Sequence, residues 1–180
     1  MEHSRENEFK RWARFGVDQD GIKYIPVGGT CVMTYLLDVR GSSILAGLLD
    51  GDAYGDYLRS EWGIYIHREG IWRDKWFVPS GFLHYGEHPF SCAERIVKNM
   101  LDGNADKLEL LDVVSFTQPS KYYPGYNHWH ICFIYRTHGL KFNKRPWFKR
   151  LEYVDLSTLK SVDVGVAGGP VLKKLKLVSD

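Results

Sequence analysis

The distribution of apolar residues predicts several strands in the first half of the chain. Residues 30–39 (TCVMTYLLDV) are apolar on both sides, which predicts a strand in the interior of a sheet. A shorter apolar run at 44–49 predicts another strand, within a Gly- and Asp-rich region that otherwise favours loops and turns. Residues 62–68 and 71–78 flank a Glu–Gly turn and predict an antiparallel hairpin.

A helical period replaces this strand pattern between residues 88 and 101. The residues predicted to form its core-facing stripe are Phe90, Ala93, Val97 and Met100 or Leu101. The Asp-Gly-Asn sequence at 102–104 should end the helix.

The second half of the chain returns to strands. Apolar runs predict strands at 108–116 and 128–136, and residues 154–159 predict a strand running into a capped helical turn. A short helix is predicted at 171–177. Strands, a helix, more strands and a last helix in this order predict an α/β (α+β) fold, in which helices pack on a mixed sheet.

The pattern also predicts how the chain is divided. In residues 1–29, Phe9, Trp12 and Phe15 lie three apart in a charged segment, which predicts a helical extension docked by its aromatic side. Residues 30–160 are expected to form the main domain. Residues 161–180 are expected to form a C-terminal tail whose short helix packs on that domain.

Composition narrows the functional classes without naming one. The chain has 180 residues, of which 44% are hydrophobic and 26% charged, as in soluble globular proteins. The net charge of +2 gives no strong electrostatic case for nucleic acid, and the apolar runs are too short for a membrane span. Three cysteines without a CxxC pair, and an N-terminus without a signal-like apolar stretch, predict a reducing, cytoplasmic location.

One segment carries a recognisable motif. Residues 76–103 (WFVPSGFLHYGEHPFSCAERIVKNMLDG) place Gly81, Glu87 and Arg95 at the spacing of the Nudix box, with an apolar strand before them and a helix after them. Over roughly residues 30–160 the chain resembles the Nudix hydrolase superfamily. That resemblance implies a Nudix-like mixed β-sheet sandwiched between helices.

The chain departs from this motif at the positions that hold the metal. Where the family has glutamates, this sequence has Ile96, Asn99 and Met100, which share one helix face. In the family those carboxylates hold Mg²⁺ or Mn²⁺, which orients the pyrophosphate for attack by water. The substitutions predict a degenerate site, and an apolar face at Ile96 and Met100 that needs a hydrophobic neighbour, either from this chain or from a protein partner.

The retained polar residues allow two interpretations. If chemistry remains, Glu87, Arg95 and Glu94 are its candidate catalytic residues. If it does not, Glu87 favours the positive end of the helix and Arg95 pairs with Glu87 or Glu94. His84, Glu87 and His88 are weak candidates for a replacement metal site, because they lie close together in sequence.

A segment rich in tyrosine is the candidate ligand site. Aromatic rings could stack on a base and a lysine could meet a phosphate. The predicted ligand-binding residues are Lys121, Tyr122, Tyr123, Tyr126, Trp129 and His130. The basic run at 141–150 could hold an acidic partner or RNA, although a solvated loop explains it as well.

Three functions follow from these residues. The first is a Nudix-fold protein that has lost catalysis and binds a nucleotide or nucleoside diphosphate derivative, or serves as an interaction module. The second is a divergent pyrophosphohydrolase that uses Mg²⁺ or Mn²⁺ to cleave a nucleoside diphosphate linked to another moiety. The third is a subunit of an assembly that handles RNA.

Overall fold

A computed structural model describes residues 30–50, 53, 56, 75–84, 86–119, 127–165 and 167–179. The predicted N-terminal extension and most of the predicted 62–78 hairpin lie outside these residues. Eight strands and two helices are described. The strands are β1 (Thr30–Leu37), β2 (Val39–Arg40), β3 (Ser43–Leu49), β4 (Trp76–Phe77), β5 (Ser80–Phe82), β6 (Lys107–Pro119), β7 (Asn127–His138) and β8 (Phe148–Asp155).

A mixed four-stranded sheet forms the centre of the structure, in the order β5-β1-β7-β6. β1 runs parallel to β7 and antiparallel to β5, and β6 runs antiparallel to β7. The interior position predicted for β1 is therefore confirmed. A second sheet joins β2, β3 and β4 in that order, with β8 also paired to β3.

Helix α1 (Pro89–Arg95) continues without a break into a π-helical segment, Ile96–Met100. Its buried residues come in pairs four positions apart: Cys92 and Ala93, Ile96 and Val97, Met100 and Leu101. A repeat of four exceeds the roughly 3.6 residues per turn of an α-helix, so a regular helix would rotate the last pair out of the core. The wider π turn compensates, and the N–H of Leu101 donates to the carbonyl of Ile96 at 3.1 Å.

The central sheet is covered on both faces. Helix α1 packs on the face that presents Leu36 and Tyr135, in a cluster shared with Phe148 of the second sheet. Helix α2 (Gly168–Lys174) packs on the opposite face, which presents Met33 and Tyr35. Alternate residues of β1 thus enter two different cores, which explains why this strand is apolar on both sides.

Most predicted elements of the described region are confirmed, with shifted ends. The strands predicted at 108–116 and 128–136 are longer in the structure, and the last helix begins three residues before its predicted start. One core prediction was wrong, because Phe90 is 38% exposed, although its ring makes an edge-to-face contact with Tyr135. The described part of the chain contains no helix long and apolar enough to cross a membrane.

Candidate functional site

An ion pair closes the loop between β5 and α1. Arg95 Nε lies 2.8 Å from Glu87 Oε1, and Arg95 Nη2 lies 2.8 Å from Glu87 Oε2, so the contact is bidentate. Arg95 Nη2 also donates to the carbonyl of Phe82 at 2.8 Å, and Glu87 Oε2 accepts from the N–H of His84 at 2.8 Å. Both side chains are largely buried, at 14% and 12% exposure. The pair therefore ties the end of β5 to the helix across the whole loop.

This pairing also fixes the charge of Glu87. Burial acts to raise the pKa of its carboxyl, but the hydrogen bond and charge of Arg95 and the N–H of His84 outweigh burial. The pKa lies below its usual range, and the carboxylate stays ionised at neutral pH. A carboxylate that is charged and already bonded on both oxygens is poorly suited to accept a proton from water.

The two histidines of the predicted metal set, His84 and His88, flank Glu87 in the sequence. His88 is the N-cap of α1, where its Nδ1 accepts a hydrogen bond from the N–H of Phe90 at 3.1 Å. His84 is half-buried and contributes its N–H to Glu87. No cluster of three His, Cys, Asp or Glu side chains within reach of one ion exists among the described residues. Glu94, the third candidate catalytic residue, is exposed on the helix.

Two of the motif's three metal positions are buried inside the protein. Ile96 is fully buried and Met100 is 1% exposed, and both belong to the core cluster beneath α1. A β-carbon built on Gly81 would lie 3.3 Å from Cγ1 of Ile96, so the isoleucine packs directly on the first glycine of the motif. Of the two neighbours expected for this face, this chain's own core is the one that covers both side chains, so the alternative of a protein partner there was wrong.

These side chains do not fit a divalent cation. Mg²⁺ and Mn²⁺ require several hard oxygen ligands. Ile96 has no donor atom and Met100 offers only a thioether, so the half-buried Asn99 would supply at most one neutral amide oxygen.

The closing position of the motif is occupied by a residue in the left-handed backbone region. The family has glycine there, and Asp102 adopts that left-handed conformation with φ of 47°. Its Oδ1 pairs with Arg145 Nη2 at 2.8 Å, and Asn143 donates to its backbone carbonyl at 3.1 Å. Asp102 thus ends the helix and anchors the loop before β8.

That loop is the basic run, and three of its five cations, Lys144, Arg145 and Arg150, make contacts within the chain. Besides the Arg145 contact, Lys144 Nζ donates to the carbonyls of Phe148 and Lys149 at 3.2 Å and 3.3 Å. Arg150 pairs with Glu152. The indole N–H of Trp147 donates to the carbonyl of Met100 at 3.2 Å. The contacts of Lys144, Arg145 and Trp147 are therefore structural, since they hold the loop before β8 and the end of the helix.

A second group of polar side chains lies on the face of the central sheet that packs against α2. His130 is 4% exposed, and its ring stacks on Phe116 with centroids 5.1 Å apart and planes 9° apart. Gln118 Nε2 lies 3.0 Å from His130 Nε2. Next to them, His128 Nδ1 lies 3.7 Å from Cys31 Sγ. We call Phe116, Gln118 and His130 the His130 cluster.

The His130 cluster lies at the same end of the central sheet as the loop between β5 and α1. His130 pairs with Cys31 at the start of β1, and Phe82 at the end of β5 pairs with Met33. The N–H of Leu83 then donates to the carbonyl of Val32 at 3.0 Å. The loop that holds Glu87 therefore leaves β5 at this end of the sheet, and β1 lies between β5 and the strand that carries the histidine.

The structure separates two of the predicted ligand-binding residues. Trp129 and His130 are neighbours in β7, so their side chains lie on opposite faces of the sheet. The other predicted residues, at 121–123 and 126, lie outside the described part of the chain. Phe116 and Gln118 were not among the predicted residues, because the predicted strand ended at Phe116 and only the longer observed strand, Lys107–Pro119, places both on one face.

Comparison with known proteins identifies the architecture. No family model matches the sequence, and no curated protein matches it. The structure is similar to a MutT Nudix hydrolase from Burkholderia pseudomallei, with a TM-score of 0.55 and 15% identity over 81% of this chain and 96% of that one. It is also similar to a MutT protein from Bacillus halodurans, with a TM-score of 0.53 and 15% identity over 83% and 84% of the two chains.

A third similar structure is a Nudix hydrolase from Nitrosomonas europaea, with a TM-score of 0.54 and 13% identity over 81% of this chain and 86% of that one. Likenesses at this level of identity show the fold alone. The predicted mixed sheet between helices is confirmed as a Nudix fold.

Proposed function

We propose that this Nudix-fold chain binds a nucleotide or nucleoside diphosphate derivative and does not hydrolyse it by the metal-dependent route. The observation that carries the proposal is the contact between Ile96 and Gly81. It places a hydrocarbon side chain against Gly81 at a position where the motif has a glutamate. Without the motif's carboxylates, a divalent ion has too few ligands there to activate water.

The state of Glu87 supports the same conclusion. Both of its oxygens are occupied, by Arg95 and by the N–H of His84. These contacts shape the loop between β5 and α1, whether or not a reaction takes place there. A residue that shapes the loop is retained by a binding protein as readily as by an enzyme.

The three cysteines support a cytoplasmic site of action. Cys31, Cys92 and Cys132 are free thiols and all are buried. Burial raises the pKa of Cys92 to about 11 and that of Cys31 and Cys132 to about 12, so none is a reactive thiolate at neutral pH. Thiols kept in this state suit a reducing compartment.

A paired binding and turnover assay tests the proposal. ADP, UDP, ADP-ribose and a UDP-sugar are titrated calorimetrically with and without Mg²⁺ or Mn²⁺. The same mixtures are then assayed for cleaved products by chromatography. We expect binding of at least one compound, with no products above the protein-free background.

Two results would overturn this function. Metal-dependent turnover that is lost in Glu87→Gln, and kept in the exposed control Glu109→Gln, would make the protein a hydrolase. Failure of every compound to bind would remove the ligand class altogether.

A further inference from the structure

A cavity opens at the C-terminal end of the π-helical segment. It has a volume of about 300 Å³ and is lined by Lys98, by residues 102–104 and by residues 141–143 of the basic run. Small-molecule sites have volumes of roughly 300–1,000 Å³, so this cavity admits a small ion or one end of a larger ligand. We call it the Lys98 cavity. The loop that holds Glu87 precedes the other end of the helix, so the two places are separate.

Backbone contacts fix the shape of the Lys98 cavity. Asn104 and Lys141 exchange two backbone hydrogen bonds, at 3.0 Å and 2.9 Å. Beside them, Gly103 approaches so closely that a β-carbon built on it would collide with the carbonyl oxygen of Lys141. The two segments that line the cavity are therefore joined through the main chain, and their spacing does not depend on side-chain rotamers.

The charge of the lining is positive. It contains two lysines, Lys98 and Lys141, and one acid, Asp102. Asp102 is already paired with Arg145 at 2.8 Å. Neither lysine ammonium group forms an ion pair or a hydrogen bond with any residue that the structure describes. The cavity therefore presents two positive charges that pair with no described carboxylate.

The negative end of the helix is capped at this place. Unpaired carbonyl groups usually give a helix C-terminus a partial negative charge, which would disfavour an anion. Here the carbonyl of Val97 accepts from the N–H of Gly103 at 3.0 Å, and the carbonyl of Leu101 accepts from the N–H of Asn143 at 2.9 Å. The carbonyl of Met100 accepts from the indole of Trp147. The two ammonium groups are therefore the dominant unpaired charges of the cavity.

We propose that the Lys98 cavity binds a phosphate or diphosphate anion through Lys98 and Lys141, without a metal ion. A lysine ammonium group binds phosphate as a point charge with three donors. The exposed side-chain amide of Asn104 supplies a further, neutral donor. The anion is either a free inorganic ion or the phosphate group of a larger ligand, since both present the same oxygens. The proposed nucleotide function is not a premise of this inference.

A titration followed by NMR tests the site in the full chain. Inorganic phosphate and diphosphate are added at constant ionic strength, with EDTA present, while the backbone amides of Gly103 and Asn104 are observed. We expect saturable shifts at these amides. Lys98→Met and Lys141→Met should each weaken binding about tenfold or more, because each removes one charge-assisted contact.

A matched control separates the cavity from general charge. Lys149→Met removes the same charge from an exposed position of the same basic run, outside the lining. It should change the affinity by no more than about a factor of two, because salt screens exposed charges that do not touch the ligand. All three lysines are exposed, and the amide spectrum of each variant shows directly that it has folded.

ADP and adenosine, titrated in the same way, identify the source of the anion. Binding of ADP at these amides more tightly than inorganic diphosphate, with adenosine inactive, assigns the site to a nucleotide phosphate. Equal or weaker binding of ADP assigns it to the free ion. Both results support the site, provided that Lys98→Met weakens the binding.

The outcomes separate this inference from the proposed function. The absence of saturable shifts at Gly103 and Asn104 with every phosphate compound, equal losses in Lys98→Met and Lys149→Met, or binding only with Mg²⁺ would each overturn the inference. Nucleotide binding elsewhere on the protein would then leave the proposed function standing. Inorganic diphosphate bound in the cavity of a protein that binds no nucleotide would support the inference and overturn that function.

Discussion

Ile96 of the π-helical segment lies against the backbone of Gly81, where a β-carbon on the glycine would come within 3.3 Å of its Cγ1. The two positions belong to the motif that in the family surrounds a metal ion. Here the contact joins helix and strand through hydrocarbon alone. In this chain, these two motif positions therefore pack against each other and supply no metal ligand.

The first prediction concerns this contact. Ile96→Glu would bury a carboxylate without a partner, so it should lower the free energy of unfolding by about 3 kcal/mol or more. Ile96→Val, which only removes a methylene, should lower it by about 0.5–1.5 kcal/mol. Urea unfolding measures both. Equal stability of the glutamate variant and the wild type would contradict the burial of this position.

The second prediction concerns the ion pair that closes the loop. Arg95→Met should destabilise the protein by about 3 kcal/mol, because it leaves the buried Glu87 carboxylate without its cation. The double variant Glu87→Gln with Arg95→Met removes the charge as well, so it should recover part of that loss. A double-mutant cycle in urea gives the coupling energy. Strictly additive effects would mean that the pair contributes nothing to folding.

The third prediction concerns the end of the helix. Asp102 has a φ of 47°, a region where side chains other than those of Asn and Asp cost about 1–2 kcal/mol relative to glycine. Both Asp102→Gly and Asp102→Ala lose the partly exposed contact with Arg145, so only the backbone term separates them. The glycine variant should be the more stable of the two by about 1 kcal/mol. Thermal unfolding compares them, and equal melting temperatures would contradict the left-handed conformation at this position.

The fourth prediction concerns pH. The pKa of His130 falls from 6.5 to about 4 on folding, so between these values the unfolded chain binds a proton that the native protein excludes. Stability is therefore complete above about pH 6.5 and decreases as the pH falls toward 4, by up to about 1.4 kcal/mol per pH unit. His128 adds to this effect, since burial lowers its pKa as well.

His130→Phe removes the histidine with the large pKa shift, so it should reduce the slope of stability against pH. Urea unfolding at several pH values, for the wild type and the variant, measures the difference in slope. Glu87 contributes at more acidic pH, because its pKa lies below the usual range of a glutamate. An unchanged slope in the variant would show that His130 is accessible to protons in the native state.

The sequence alone determined the framework. Apolar residues on both sides of β1 required burial on two faces, and the spacing of Gly81, Glu87 and Arg95 indicated the loop and helix that follow. These features are local, because strand period, helix period and motif spacing depend on residues near one another in the chain. The loss of carboxylates at Ile96, Asn99 and Met100 was also visible without coordinates.

Tertiary structure decided where the side chains of these elements meet. A helix face with Ile96 and Met100 fits an interface or a core equally well, and only the packing of α1 on the sheet showed that both residues are buried. Likewise, strand alternation placed His128 and His130 on one face. The stacking of Phe116 on His130 and the contact of Gln118 with His130 depend on the register between β6 and β7. Register joins residues distant in sequence, so their joint environment exists only in the folded chain.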